Sequence, residues 1–432
     1  MAASPSSGGG RHVCIVGAGI VGAATAYALA RDGWQVSLVD AQPAPGLGES
    51  RANGAQLSYS YVEPLATPDA LRALPGWLLS DDSPLRWRPR PEAAHLRWLA
   101  AFVAACRWRE VHRTTAALLA LSGLSRTTLH RWLAEQPGMA ARCLHAQPGK
   151  LVLYRDAASR AAVERQIGFQ RRLGCVQRIV DADECRALEP ALGASAGAGG
   201  GDIAFGVWTA DEEVIDTSLL AQALVEASGA ARHFGAPAFA FEQRGGRIAA
   251  LRLEGRTLEA DAFVLAAGPA CASLLQPLGW TPPIEPIRGY SVTLPVVNDA
   301  AAPRASVTDS ARKLVYARLG PQLRIAGFAE LCGADRRIDP RRIAALCDAV
   351  RATFPGACRF DDPQPWAGLR PATPGGRPLV GATRWPGLWL NAGHGALGLT
   401  LACGSAALIA DEMSGRAKRI DDRPFTFAAQ AA

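Results

Sequence analysis

The chain has 432 residues, 49% of them apolar and 20% charged, with a formal net charge of +7 and a mean hydropathy near zero. That length exceeds one ordinary core, so two intimately joined domains are expected, and no run of eighteen uncharged apolar residues stands out as a membrane-crossing helix. No compact basic helix and no aromatic–basic interleaving points to nucleic acid, and the ten cysteines show no CxxC and no zinc spacing with histidine. They read as buried thiols in a reducing, cytoplasmic setting, with no metal site expected.

Met1–Gly10 is small and polar, without an apolar core, and is expected to be neither a secretory signal nor ordered. The apolar run Val13–Val16 then leads straight into Gly17-Ala18-Gly19-Ile20-Val21-Gly22. An alanine-rich helix pattern continues to Arg31, and a second apolar run, Val36–Val39, ends on Asp40 and Ala41. This is a complete Rossmann-like βαβ unit. Gly17 permits the tight turn, Gly19 lets backbone approach a pyrophosphate, and Gly22 allows close helix–strand packing. The helix N-terminus offers free N–H groups to the diphosphate, and Asp40 is placed to accept hydrogen bonds from a ribose.

Residues 65–135 read as a mostly helical insert carrying Trp77, Trp87, Trp98, Trp108 and Trp132 among arginines. Trp and Arg favour interfaces, so the insert is a candidate membrane-facing or partner-facing element; the alternative is a helical layer packed on a substrate domain. A strand is expected at Lys150–Tyr154, helices at Ala158–Arg172 and Asp216–Ser228, and a small-residue loop at Gly193–Gly201. Short strands follow at Ala231–Phe241, Ile248–Leu253, Arg256–Leu258 and Ala262–Gly268. The last ends in Ala266-Ala267-Gly268, small residues suited to a cofactor passing the C-terminal edge of a sheet.

The cofactor domain is therefore expected in pieces, at 11–60, 173–284 and 362–415. A mixed-sheet substrate domain, at 61–172 and 285–361, carries the insert, and 416–432 forms a tail. The fold class is α/β plus α+β. Near the end, Trp389–Ser405 reads as a strand end, a glycine loop and a helix start, repeating the logic of the opening motif. Two glycine loops with one dinucleotide start suit a ligand with two ends, FAD rather than NAD.

These segments resemble the FAD-dependent amine oxidoreductases of the D-amino-acid oxidase and glycine oxidase superfamily, and within it the bacterial D-amino acid dehydrogenases. The resemblance runs from about Val13 to Gly415. It is carried by VGAGIVGAATAYAL, by Ser50–Gln56, by Pro286–Thr293, by RIAGFAEL (Arg324–Leu331), by WAGLRPATP (Trp366–Pro374) and by NAGHGALGLTLACGS (Asn391–Ser405). Two departures are Gly375-Gly376 where the family has Asp-Gly, and Gly404-Ser405-Ala406 where it has Gly-Ser-Gly. The motif and the resemblance together imply FAD contacts at Val16, Gly17, Ala18, Gly19, Ile20, Val21, Gly22, Asp40, Ala41, Ser50, Asn53, Gly54, Ala267, Gly268, Gly395, Ala396, Leu397 and Gly398.

The chemistry the resemblance implies needs a clamp on the substrate carboxylate, so that Cα–H points at flavin N5. Arg370, the arginine of WAGLRP, suits that role because a guanidinium pairs with a carboxylate bidentately; the alternative is a structural arginine on a loop carbonyl. Tyr290 is a candidate second donor to the carboxylate or a buried core tyrosine, and His394 lines the flavin edge or is structural. The expected reaction is oxidative deamination of D-amino acids, with electrons passed to a quinone or another carrier. The rivals are an oxygen-using oxidase of glycine, sarcosine or D-amino acids, a subunit of a hetero-oligomeric imino acid dehydrogenase acting on hydroxyproline, and a non-catalytic flavin scaffold. The positive charge and the Trp/Arg insert are compatible with peripheral contact at the inner membrane.

Overall fold

A computed structural model describes residues 11–72, 85–88, 90–197 and 202–428. Met1–Gly10, Trp77 and the last part of the Gly193–Gly201 loop lie outside the described residues.

Two sheets organise the chain. The first has six strands in the order 379–382, 388–392, 262–265, 12–16, 35–40, 231–234. All its neighbours run parallel except the 379–382 edge. Its central strand is apolar on both faces, as a parallel strand covered on both sides must be. Val13 and Ile15 point into a core shared with the helices Ile20–Arg31, Thr217–Ser228 and Gly398–Met413. Cys14 and Val16 point the other way, into a core with Phe241, Ile248 and Leu251 of the three-stranded meander at 238–259 and with Cys271–Leu275. Asp216 caps the second helix by accepting from Leu219 N at 3.0 Å, and Gly229 ends it at φ +64°.

The larger sheet is mixed, in the order 364–372, 285–295, 322–331, 314–319, 306–309, 150–154, 205–209, 178–180, with 85–87 added beside 322–331. One face packs Tyr290, Val292, Leu294 and Tyr316 against Leu346 and Val350 of the Pro340–Thr353 helix and against Phe354 just after it. The opposite face turns to the first sheet: Ser291 Oγ donates to Ala52 O at 2.5 Å, and Arg324 Nη2 pairs with Asp216 Oδ2 at 3.0 Å.

The expected domain pieces need correction. Strands 178–180, 205–209 and 364–372 lie in the larger sheet, so the cofactor-side segments resume near 213 rather than 173, and near 379 rather than 362. These short strands carry no local mark of which sheet they join. The helical insert also sits elsewhere than expected: its long helix, Trp108–Glu135, packs on the cofactor layer. Trp132, 2% exposed, meets Tyr27 edge-to-face at 5.0 Å, and Leu118 and Leu121 join the same core. The tail is packed too. Phe425 is fully buried, Phe427 lies 4.7 Å from the Trp280 ring, and Arg416 and Arg419 both reach Asp411. Finally, Gly395–Met413 is long and apolar enough to cross a membrane, but 78% of that window is buried inside the fold. A helix apolar on every side is what a core between two layers demands.

That burial rests on Gly404, where a Cβ would stand 2.6 Å from Leu121 O and 2.9 Å from Ser125 N. Both are backbone atoms of the facing helix and have no rotamer to move. Gly404→Ala is therefore expected to push the two helices apart and destabilise the protein by about 1–3 kcal/mol in denaturant unfolding, with an unchanged m-value.

Candidate active site

Four loops converge on one edge of the first sheet because the strands before them run parallel. Val16 leads to Gly17–Gly22, Asp40 to Ala41, Leu265 to Ala266–Gly268, and Ala392 to Gly393–Gly398. The carboxyl edge of such a sheet is where ligands bind in open α/β folds. The glycines are required by contact. Gly17 has φ +107° and a Cβ there would lie 2.5 Å from Ala266 O; a Cβ on Gly22 would lie 1.8 Å from Gly17 O. Gly19 differs. Its Cβ would meet only Ser50 Oγ, at 3.3 Å, so the space ahead of the helix is open. The helix from Ile20 has no side chain capping it from Gly19 and no acid in its first turn.

The side chains expected to touch a ligand mostly brace this loop. Asp40 Oδ2 accepts from Ala18 N at 2.5 Å, and its Oδ1 accepts from Gln42 N at 2.7 Å. Ser50 Oγ accepts from Ile20 N at 2.9 Å. Asn53 Oδ1 accepts from Ala55 N and from Thr217 Oγ1, at 3.0 and 2.7 Å, which leaves Ala55 in a left-handed turn at φ +56°. Gly54 faces the larger sheet, its Cβ position 3.1 Å from Val315.

Arg370 comes from the larger sheet, whose strand 364–372 meets the second glycine loop at the Ala372↔His394 bridge. Strand 364–372 pairs with 285–295 in the register Ile287↔Arg370 and Gly289↔Gly368, so Arg370 shares a face with Gly289 and Ser291. Its guanidinium lies flat on the bare backbone of Gly289, where a Cβ would be 2.4 Å from Nη2. Nη1 donates to Phe328 O at 2.7 Å. Phe328 holds that carbonyl in place from a left-handed conformation, φ +61°, which strains a bulky residue. Burial alone pulls Arg370 down to about 10, since among the described residues no carboxylate stands near enough to oppose it. A half-buried cation with no acid beside it among the described residues is suited to an anion.

Tyr290 is not part of this receptor, which corrects the expectation for it. The same register puts Tyr290 beside Ala367, on the face opposite Arg370. Its hydroxyl donates to Glu330 Oε2 at 3.0 Å, inside a buried cluster with Arg288 (2.6 Å) and Arg342 (3.0 Å). Desolvation pushes Glu330 up, but the hydrogen bonds and charges of Arg288, Tyr290 and Arg342 overrule it and hold the carboxylate below its usual range. His394 does sit at the second glycine loop, bridged to Ala372, but its Nε2 faces Ser405 Oγ at 3.1 Å, inside the protein. Burial drives it down to about 3. Gly395 (φ +56°), Ala396, Leu397 and Gly398 carry the loop onward as a 3₁₀ turn that opens the C-terminal helix, with Ala396 exposed.

The model of the FAD dependent oxidoreductase family matches residues 12–412 of the chain. The chain belongs to that family. A D-amino acid dehydrogenase 2 of Ralstonia nicotianae is 48% identical over 429 residues, covering 96% of this chain and all of the relative. One of Pseudomonas aeruginosa is 45% identical over 415 residues, covering 95% of this chain and 97% of the relative. Among solved structures, a glycine oxidase from Geobacillus kaustophilus superposes with a TM-score of 0.74 at 20% identity, covering 96% of this chain and 98% of its own. An L-proline dehydrogenase from P. horikoshii gives 0.74 at 14% identity, with 97% of each chain covered.

The site fits the family's cofactor. FAD needs open space at Gly19, a helix start with no acid in its first turn for its diphosphate, and glycine turns on neighbouring strand ends, and all three are present. Reading the sequence missed Gly289, Phe328 and Glu49. Glu49 accepts from Leu369 N and so ties the segment after the second strand to the strand of Arg370. It also missed Lys150, which is buried and donates to Gln56 Oε1 and Ser58 Oγ at 3.0 and 2.7 Å. Only cross-strand register could have found the first two, and a lone lysine in an apolar strand was the one signal for the last.

Asp40→Ala removes two charge-assisted contacts to the loop backbone. FAD affinity is expected to fall by about 1.5–3 kcal/mol, read by flavin release, while reduction of the remaining FAD-loaded protein stays close to wild type.

His394 supplies a pH dependence. Its folded value lies below its unfolded value near 6.5, so the unfolded chain binds the extra proton between the two. The neutral ring is compatible with the fold above pH 6.5, and stability is lost as pH falls through that window. At pH 5 the loss from this residue is about 2 kcal/mol. His394→Gln should show a correspondingly smaller drop between pH 7 and pH 5 than the wild type.

Proposed function

We propose that the protein oxidises D-amino acids to 2-oxo acids and ammonia. The observation that carries this reading is Arg370, a half-buried guanidinium with no acid beside it among the described residues, laid on Gly289 two positions before the Ala372↔His394 bridge to the second glycine loop. The D-configuration rests on the names of relatives 48% and 45% identical along nearly their whole length. When bound, FAD supplies the hydride acceptor. Arg370 holds the substrate carboxylate, and its planar fork fixes the orientation of Cα–H. Phe328 O and the Gly289 backbone hold the fork from the other side. The imine left by oxidation hydrolyses in water without a further protein group.

The acceptor we propose is a membrane quinone or another carrier, with the protein at the cytoplasmic face of the inner membrane. The support is the helix Ala93–Ala105, which is apolar yet buries only His95 and Trp98. Leu96 and Val103, seven residues apart on one side, are 53% and 52% exposed, and Trp108 follows at 44%. Trp98 Nε1 donates to Ala372 O at 2.9 Å, so the helix is fastened to the strand of Arg370.

Anaerobic mixing with a panel of D- and L-amino acids tests the substrate, and the FAD absorbance should bleach with D-amino acids. Arg370→Ala should slow that bleaching by about 10²-fold or more at normal FAD content, and Arg370→Lys should restore only part of it. Gly289→Ala, which displaces the guanidinium, should raise KM. Tyr290→Phe, on the other face, should leave the rate near wild type. Bleaching of Arg370→Ala at the wild-type rate would place the clamp elsewhere. Peroxide release at the turnover rate in air would replace the quinone with oxygen.

A further inference from the structure

Three residues from separate parts of the chain meet behind the flavin-side segment. His130 is on the long insert helix, His145 follows the short helix Met139–Arg142, and Glu213 opens the strand Glu213–Val214. His130 Nε2 lies 2.5 Å from Glu213 Oε1, and His145 Nε2 lies 2.9 Å from Glu213 Oε2. All three donor atoms fall within 4.8 Å of one another. The Glu213 side chain is fully buried, while those of His145 and His130 are 17% and 41% exposed, so the cluster has a path to solvent on the His130 side.

We propose that His130, His145 and Glu213 bind a divalent transition-metal cation, zinc being the best match. Two imidazoles and one carboxylate form a zinc donor set, and borderline nitrogen ligands select against calcium and magnesium. Around a tetrahedral ion with bonds near 2.0–2.1 Å, donor atoms stand about 3.3 Å apart. The cluster brackets that spacing, so side-chain shifts of under an ångström admit the ion and leave its fourth position to water. The surroundings complete the site. Tyr59 Oη donates to Glu213 Oε2 at 3.1 Å and orients the carboxylate, as supporting hydrogen bonds do around ligating groups. Arg126 Nε stands 3.9 Å from Glu213 Oε1, but its guanidinium is paired with Asp211, which returns a negative charge. The His–His spacing of fifteen residues, with the acid 68 residues further on, matches no sequence motif.

The role is structural and lies outside the oxidation itself. Glu213 pairs with Leu57 in a short antiparallel ladder next to Gln56↔Val214, just after the Ser50–Gln56 segment. An ion there pins the insert helix and the 143–146 loop to the strand that continues from the flavin side.

The test uses FAD-loaded protein treated with a chelator and dialysed. Titration with zinc chloride should show one saturable site per chain by calorimetry and raise Tm as zinc is added. His130→Ala, a change at a partly exposed position, and His145→Ala should each weaken zinc binding at least tenfold and abolish the Tm rise, with FAD content unchanged. Absence of a saturable 1:1 site in the wild type overturns the proposal. So does zinc binding of wild-type strength in both variants, which would put the ion elsewhere and leave the cluster a hydrogen-bonded network.

Discussion

The structure depends on a contact between bare backbones. At the edge of the first sheet, the turn at Gly17, the helix at Gly22 and the end of the 262–265 strand at Ala266 approach so closely that a Cβ on either glycine would overlap a carbonyl oxygen. This brings the helix N-terminus down onto the sheet and leaves Gly19 open in front of it. Asp40 and Ser50 then use their side chains to hold the loop from outside. The nucleotide receptor is thus made of main chain, whose N–H groups have fixed direction and no rotamer entropy to lose.

The carboxylate receptor we propose at Arg370 is built in the opposite way. It relies on one long side chain, Arg370, seated on a glycine and aimed by a strained carbonyl at Phe328. The neighbouring strands 285–295 and 322–331 are tied from the far side by Arg288, Arg342, Glu330 and Asp335, a charge cluster whose members neutralise one another, with Tyr290 hydrogen-bonded to Glu330. The two faces of that central sheet divide the labour. One keeps Arg370 on a carbonyl rather than a carboxylate, and the other pairs Arg288 and Arg342 with acids.

What the sequence made legible was local. Gly17–Gly22, the strand before it and the acid after it lie within thirty residues, and each signal supports the others, so the βαβ unit stands as read. Arg370 stood out because its motif is dense in residues with few other uses. Tyr290 was misplaced because parity decides it: three residues separate it from Ile287, the register partner of Arg370, and an odd offset turns a strand residue to the other face. The division between sheets was illegible for the same reason, since a five-residue strand such as Phe205–Thr209 does not say which neighbour it will find. The insert was assigned to the wrong layer because its apolar stripe fits any apolar partner. Gly404, packed against Leu121 and Ser125, identifies the true one only when the helices are seen together.

The order of the strands has a consequence for how the chain is made. The 12–16 strand pairs on one side with 35–40, which leaves the ribosome at once, but on the other with 262–265, and that strand waits in turn for 388–392. Asn391 Nδ2 hydrogen-bonds Thr25 Oγ1 across 366 residues of sequence. The strand at 12–16 is therefore among the last things completed, and a chain released before the helix Gly398–Met413 has no closed nucleotide layer to offer. Such high contact order slows folding and prolongs exposure of the apolar strands at 12–16 and 262–265. Biogenesis, rather than the finished fold, is where this architecture is most vulnerable, and truncation from the C-terminal end removes the cofactor layer before it touches the substrate one.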